Sequence, residues 1–284
     1  MSLKIGIQMY SVRNAFAENP MAAIRNVCEI GYKYIELANL NASVDCGCGF
    51  GISAKELKNT VRSLECEIFS THIEPLNKDN IDKVLEYYAE LGTKYIVSKQ
   101  CNSTIEDVKI ACENYNYLGE RCKNAGIQHL LHLGQTGYCE DGEWAVDKIA
   151  KNTTKENLMF EVDTYWMLRS GFNPCNVIQK YGNRTALVHQ KDLPLSFSGV
   201  ININSILPLG VQVTHANVNT YVHPQDFCEI GTGQMNLKDI IDSTRKYTSA
   251  THIVLEQDYT SLNEFESIQI SLNNLKEQNN IELG

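Results

Sequence analysis

Gly31-Tyr32-Lys33-Tyr34-Ile35-Glu36 returns later in the chain as Gly92-Thr93-Lys94-Tyr95-Ile96, and a shorter copy stands at Gly126-Ile127. In each, a glycine closes a helical pattern and the chain turns into an apolar run. Glycine takes up left-handed backbone at a helix end without a side-chain penalty. The echo is one of architecture rather than a binding repeat. Working outward, strand-like runs are expected at Lys4–Tyr10, Tyr34–Ala38, Glu67–His72, Tyr95–Ser98, Gln128–His132, Met159–Asp163, Ala186–His189 and His252–Glu256. Their starts recur about every 30 residues until the last gap, the spacing of βα units. The pattern predicts an α/β chain folded as a (β/α)8 TIM barrel, in preference to an open sheet.

The intervening segments carry helical periodicity. Asp79–Leu91 places Ile81, Val84, Leu85 and Tyr88 on one face, and Asp107–Asn124 does the same with Val108, Ala111, Tyr115, Leu118 and Cys122. Ser53-Ala54-Lys55-Glu56 reads as a capping box. No Pro/Gly/Ser-rich linker or composition shift divides residues 1–284, which read as a single domain. The irregular interval follows the seventh strand, where roughly 40 residues from Leu193 to Gln234 lack helix periodicity. In a barrel this long loop hangs over the C-terminal mouth, where active sites sit. It carries His215, Asn217, Asn219, Tyr221, His223 and Asp226, all able to hydrogen-bond a polyol. It reads either as a lid or as an excursion packed on the barrel rim.

The net charge of −9 argues against a surface that neutralises nucleic-acid phosphates and favours small-molecule chemistry. The ten cysteines are scattered and read as reduced thiols. Cys46-Gly47-Cys48 lacks the paired partner of a structural zinc site, so it reads as part of a glycine-rich loop. The N-terminus runs straight into a strand pattern, and no stretch approaches the roughly 18 apolar residues of a membrane span. A cytoplasmic protein is expected.

Four of the strand-like runs end in metal-ligand side chains: His132, Asp163, His189 and Glu256. Imidazoles and carboxylates at the same edge of successive parallel strands converge on one point, as a divalent cation requires. Alternation along the sixth strand puts Asp163 at the mouth with Glu161 one layer deeper, where Glu161 is read as bonded to a neighbouring barrel residue rather than as a ligand. Leu187, His189 and Lys191 share a face of the seventh strand, as do Val254, Glu256 and Asp258 on the eighth.

These residues, together with Ile7–Arg13, Gly31–Leu37, Ser70-Thr71-His72, Glu161–Trp166, His189-Gln190-Lys191-Asp192, Glu229–Gly233 and Leu255–Asp258, resemble the xylose isomerase-like (β/α)8 superfamily. That group includes sugar phosphate isomerases and epimerases, inosose dehydratase and endonuclease IV. The resemblance implies a divalent metal, Mn²⁺, Mg²⁺, Co²⁺ or Zn²⁺, held by His132, Asp163, His189 and Glu256 and binding vicinal oxygens of a sugar. Epimerases of the group place Glu at the fifth-strand position and use two carboxylates for proton transfer. This chain has His132, in Leu131-His132-Leu133-Gly134, so that mechanism does not carry over unchanged.

The chemistry expected of such a site is proton removal beside a carbonyl, through an enediolate, in a sugar or inositol derivative. Glu256 and His132 are the candidate bases. Lys191 either donates to the developing oxyanion or pairs with Asp192. His72, Trp166 and Glu229 are the candidate substrate contacts, although His72 also reads as a core histidine and Trp166 as rim packing. Gly47-Cys48-Gly49-Phe50-Gly51 has the spacing GxGxG rather than the dinucleotide fingerprint GxGxxG, and reads as a mouth loop touching substrate. Arg13, Lys99 and Arg169 are isolated, so no phosphate cradle is visible and an unphosphorylated substrate is favoured. An isomerase or epimerase is the leading reading, with a dehydratase or a catalytically inactive sugar-binding barrel as alternatives. An endonuclease IV-like enzyme is disfavoured because Trp166 replaces the histidine of the nuclease pattern. The partners expected are a small sugar or inositol derivative and a further copy of the chain in a homo-oligomer, with neither nucleic acid nor membrane.

Overall fold

The computed structural model describes residues 3–99, 104–211, 218, 220–278 and 281–282. Eight parallel strands run β1 (Leu3–Gln8), β2 (Tyr34–Asn39), β3 (Glu67–Ile73), β4 (Tyr95–Lys99), β5 (Gln128–Leu133), β6 (Met159–Asp163), β7 (Thr185–Gln190) and β8 (His252–Leu255). Each pairs with its sequence neighbour, and β1 pairs with both β8 and β2, which closes the sheet into a barrel. A short β9 (Ile281–Glu282) adds to the outer end of β1. Every expected strand is present, with ends shifted by at most two residues.

The glycine punctuation works as the sequence implies. Helix α2 (Pro20–Ile30) starts under an Asn19 side chain that accepts from the Ala22 amide and stops at Gly31, whose φ is +118°. Helix α4 (Ile81–Leu91) stops in the same way at Gly92. The box expected at Ser53 is half formed, since Ser53 caps the Glu56 amide ahead of α3 (Ala54–Ser63) without a returned bond. A complete box opens α5 (Ile105–Asn124), where Thr104 and Asp107 cap each other's amides. Further helices are α6 (Ala145–Asn152), α7 (Thr164–Arg169), α8 (Pro174–Lys180), α9 (Leu237–Tyr247) and α10 (Glu264–Lys276). Their apolar faces cover the outside of the sheet in two large clusters. No helix among the described residues is long and apolar enough to cross a membrane.

Inside the barrel, Phe69, Val97, Leu130, Ala186, Leu187 and Val254 form a small apolar plug. His252 lies beneath it, stacked on Phe69 at 4.2 Å. Two register shifts decide what stands above the plug: β3 carries an extra residue between Ile68 and Ser70, and β7 one between Thr185 and Leu187. Such bulges reverse the in–out alternation. That is how Phe69 and His72, of opposite parity, both face inward.

Candidate active site

At the C-terminal ends of the strands, the donor atoms of His132 (β5), Asp163 (end of β6), His189 (β7) and Glu256 (after β8) all lie within 4.8 Å of one another, and all four residues are buried. Strand register brings them there, with Asp163 paired to His189 and His189 to Val254, two residues before Glu256. His132 Nε2 stands 3.5 Å from Asp163 Oδ2 and has no hydrogen-bond partner, while His189 Nδ1 is 3.0 Å from Glu256 Oε2. A buried imidazole nitrogen without a partner, facing two carboxylates and a second imidazole, fits a divalent cation held by these four side chains. Among the described residues a second set, Glu36, His72, Glu161 and His189, also brings its donor atoms within 4.8 Å, so His189 belongs to both.

The two sets are one hydrogen-bonded network. His189 Nε2 bonds Glu36 Oε1 at 2.7 Å, and Gln8 Nε2 donates to the same oxygen at 2.8 Å. The Glu36 carboxylate therefore fixes the ring whose other nitrogen faces Asp163 and Glu256, the arrangement that orients a metal-binding imidazole. His72 Nε2 bonds Glu161 Oε2 at 2.6 Å, and its ring stacks on His189 at 5.2 Å. Glu161 thus bonds a neighbouring barrel residue. His72 faces the barrel interior, where Glu161 and Glu36 are its close polar partners among the described residues.

Lys191 departs from one of the two roles open to it in the sequence. It does not pair with Asp192. Its ammonium lies 2.6 Å from Asp163 Oδ2, in direct contact with Glu256 Oε2, and 3.5 Å from Asp258 Oδ1. Asp192, just beyond the end of β7, accepts four backbone amides, those of Leu193, Met235, Gly231 and Gly233. That cradle explains the Glu229–Gly233 segment: a Cβ on Gly233 would stand 2.3 Å from Asp192 Oδ1. Glu229 is engaged away from the cluster, where its Oε1 accepts from Thr260 and Ser267 at 2.8 and 2.9 Å. Trp166 lies beside the cluster, its amide capping on Asp163 Oδ1 at 2.9 Å and its ring 5.9 Å from the Lys191 ammonium.

Electrostatics follow from packing these charges together in a buried site. Burial alone would neutralise Glu256, but Lys191 and then His189 hold its carboxyl well below the usual range. Burial likewise opposes the charge on His189 and His72, yet the carboxylates around them win: Glu161 and Glu36 raise His189, and the same pair pushes His72 up to about 10. For His132 burial prevails and lowers its pKa. Burial pushes Asp258 up to about 7, with Lys191 opposing. His132 is therefore the neutral imidazole of the group, the state that ligation or proton acceptance requires.

The long segment after β7 is tied to the rim at Asn204, Tyr221 and Asp226. Asn204 Nδ2 donates to the Thr136 and Ser170 carbonyls. Arg169, fully buried at the end of α7, donates to Tyr165 Oη at 2.8 Å and the Tyr221 carbonyl at 2.7 Å, and lies 3.4 Å from Asp226 Oδ2. Tyr221 and Asp226 thus serve the anchor. His215, Asn217 and Asn219 lie outside the described residues. The sequence reading passed over Glu36 and Asp258 as site residues. The alternation that placed Glu161 and Asp163 also puts Glu36 inward with Tyr34 and Ala38, and that signal was available.

No family model matches the chain. A curated relative, the inosose dehydratase of Clostridium beijerinckii, is 27% identical over 127 residues, covering 38% of this chain and 42% of the relative, so the likeness spans less than half of that protein. Among solved structures, a sugar phosphate isomerase/epimerase from Parabacteroides distasonis superposes with a TM-score of 0.74 at 22% identity, over 99% of this chain and 96% of its own. The IolI protein with a bound zinc atom superposes with a TM-score of 0.69 at 13% identity, over 96% of each chain. These likenesses establish the TIM-barrel fold for the chain.

Proposed function

We propose that the barrel is a metal-dependent isomerase or epimerase of a keto-polyol, working by proton transfer at the carbon beside a ketone. The observation that carries this reading is the convergence of His132, Asp163, His189 and Glu256 on one buried point at the mouth. A divalent ion held by those four would supply Lewis acidity to a ketone and its neighbouring hydroxyl. The bound zinc atom of the IolI protein, which shares the fold, supports a metal-binding barrel.

In this reading the chain's own groups divide the remaining work. Glu256, holding an ion by one oxygen only, takes the proton from carbon with the other, and an unligated His132 is the alternative base. Lys191, free to leave Asp163 and Glu256 once their charge is otherwise met, donates to the developing oxyanion. His72, kept protonated by Glu36 and Glu161, donates to a substrate hydroxyl, and Trp166 offers an apolar face to the sugar. Glu36 holds His189 in orientation. A dehydratase acting on an inosose-type ketone shares the first proton transfer and is the second reading, favoured by the partial match to inosose dehydratase.

The test is a panel of keto-sugars and inososes with Mn²⁺ in deuterated water, read by deuterium uptake at the carbon beside the carbonyl and by product identity. Uptake with an isomeric product supports isomerisation, and uptake with loss of water supports the second reading. Glu256→Gln should lower uptake by about 10²-fold or more, the scale of general base catalysis. If it does not, and His132→Gln abolishes uptake with metal retained, the imidazole is the base. No uptake across the panel would leave a sugar-binding barrel without catalysis.

A further inference from the structure

Beyond β1 and β2 a cleft of about 350 Å³ opens, walled by Met9, Phe16, Ala38, Leu40, Cys48 and Phe50. The wall is mostly carbon, and Phe16 and Phe50 meet edge to face with ring centres 5.0 Å apart. Leu40 and Phe50 are 55% and 42% exposed, so the apolar surface continues to the rim. The glycine-rich loop forms one side and is held in place. Asp45 accepts from the Gly47 and Gly51 amides at 2.8 Å each, and Asn39 Nδ2 donates to the Gly47 carbonyl at 2.6 Å. Arg13 adds a flat cationic face: its guanidinium lies 4.5 Å from the Tyr10 ring centre and 5.5 Å from that of Tyr259. Among the described residues no carboxylate comes within 4.0 Å of it.

The cleft adjoins the cluster along β1 and β2. Ala38 in its wall pairs with His72 across the sheet and follows Glu36 on the same face of β2. Tyr10, also in the lining, donates its amide to Gln8 Oε1, and Gln8 holds Glu36. A ligand with its polar end at the histidines and carboxylates therefore has this cleft as its neighbouring volume.

A free monosaccharide or inositol presents hydroxyls on every edge, and a carbon-lined wall leaves those hydroxyls without partners. A flat ring packed on the carbon wall beside Phe16 and Phe50 suits it, by apolar burial and edge-to-face contact. The volume matches a small-ligand pocket at the lower end of the usual size range. We propose that the cleft is a subsite for an aromatic group attached to the sugar, so that the substrate is an aryl-substituted keto-polyol. This inference rests on the sugar reading above and narrows its substrate class.

The experiment titrates the full-length chain, loaded with Mn²⁺, with phenyl β-D-glucopyranoside, methyl β-D-glucopyranoside and phenol. The wild-type protein should bind the phenyl glycoside about tenfold or more tighter than the methyl one, the gain from burying most of a ring. The double variant Leu40→Asp with Phe50→Asp, both on the exposed rim, should bring that ratio to about one. Equal affinity for the two glycosides in wild type, or a ratio that survives in the double variant, overturns the proposal. If neither glycoside binds, phenol alone decides the cleft, and the keto-polyol reading is judged separately by the deuterium-uptake panel. Phenol binding that is lost in the double variant upholds an aromatic subsite, and no phenol binding overturns it.

Discussion

The ammonium of Lys191 lies 2.6 Å from Asp163 Oδ2, inside the same set of donors that fits a divalent cation. The site therefore carries its own positive charge. Asp163 and Glu256 are buried, and without a cation beside them they would face each other's charge in a dry interior.

Lys191→Met should accordingly destabilise the metal-free protein by about 3–5 kcal/mol, the cost of breaking a buried ion pair. Added Mn²⁺ should raise the melting temperature of the variant more than that of the wild type, because the ion replaces the lost ammonium. Thermal denaturation with and without Mn²⁺ checks this. A variant as stable as wild type in chelator, with the same response to metal, would mean that Lys191 does not balance the cluster.

Arg169→Met tests whether the segment after β7 is a built part of the mouth. Arg169 is fully buried and ties α7 to Tyr221 and Asp226, so its loss leaves Asp226 without a cation and the Tyr221 carbonyl without its donor. Hydrogen exchange at residues 221–227 should rise by at least tenfold while exchange in the barrel strands stays close to wild type. Unchanged exchange at residues 221–227 would show that Arg169 does not hold the segment.

Acid should weaken the fold through two histidines remote from the cluster. Burial draws His129 down to about 4 and, with help from Lys4 and Lys94, His252 down to about 3, both from 6.5. Between 6.5 and those values the unfolded chain binds the protons that the folded chain refuses. Their stability contribution is thus complete above about pH 6.5 and is lost progressively as pH falls towards 4 and 3. Each contributes a slope of about 1.4 kcal/mol per pH unit. Urea denaturation from pH 7 to 5 should show the loss, and His252→Gln should make the slope shallower. An identical slope in the variant would contradict the assignment.

The barrel was legible because its βα units repeat the same local chemistry, from Gly31 to Tyr34 and from Gly92 to Tyr95. The strand-end donors were legible too, since position along a parallel strand fixes depth in the barrel. Pairings across the interior were not. Alternation says which way a side chain points, whereas the contact of Lys191 with Asp163 depends on the register of β6 against β7, and the bond from His189 to Glu36 arises only when the sheet closes and β2 faces β7. The bulges at Phe69 and Ala186 also escape a period-two reading, although they set the phase of His72 and His189. Asp192 looked like a partner for Lys191 because adjacent charges in sequence suggest pairing. Asp192 lies just beyond the end of β7 and instead organises the loop at Gly231 and Gly233.

His132, Asp163, His189 and Glu256 are proposed to hold one divalent ion together. Elemental analysis of the protein after Mn²⁺ loading and gel filtration checks this, comparing wild type with Asp163→Asn and His189→Ala, and circular dichroism verifying the fold of each. About one equivalent of metal is expected in the wild type and a loss of most of it in both variants, with the barrel still folded because the ligands sit at the mouth above the packed plug. Undiminished metal in both variants would contradict it.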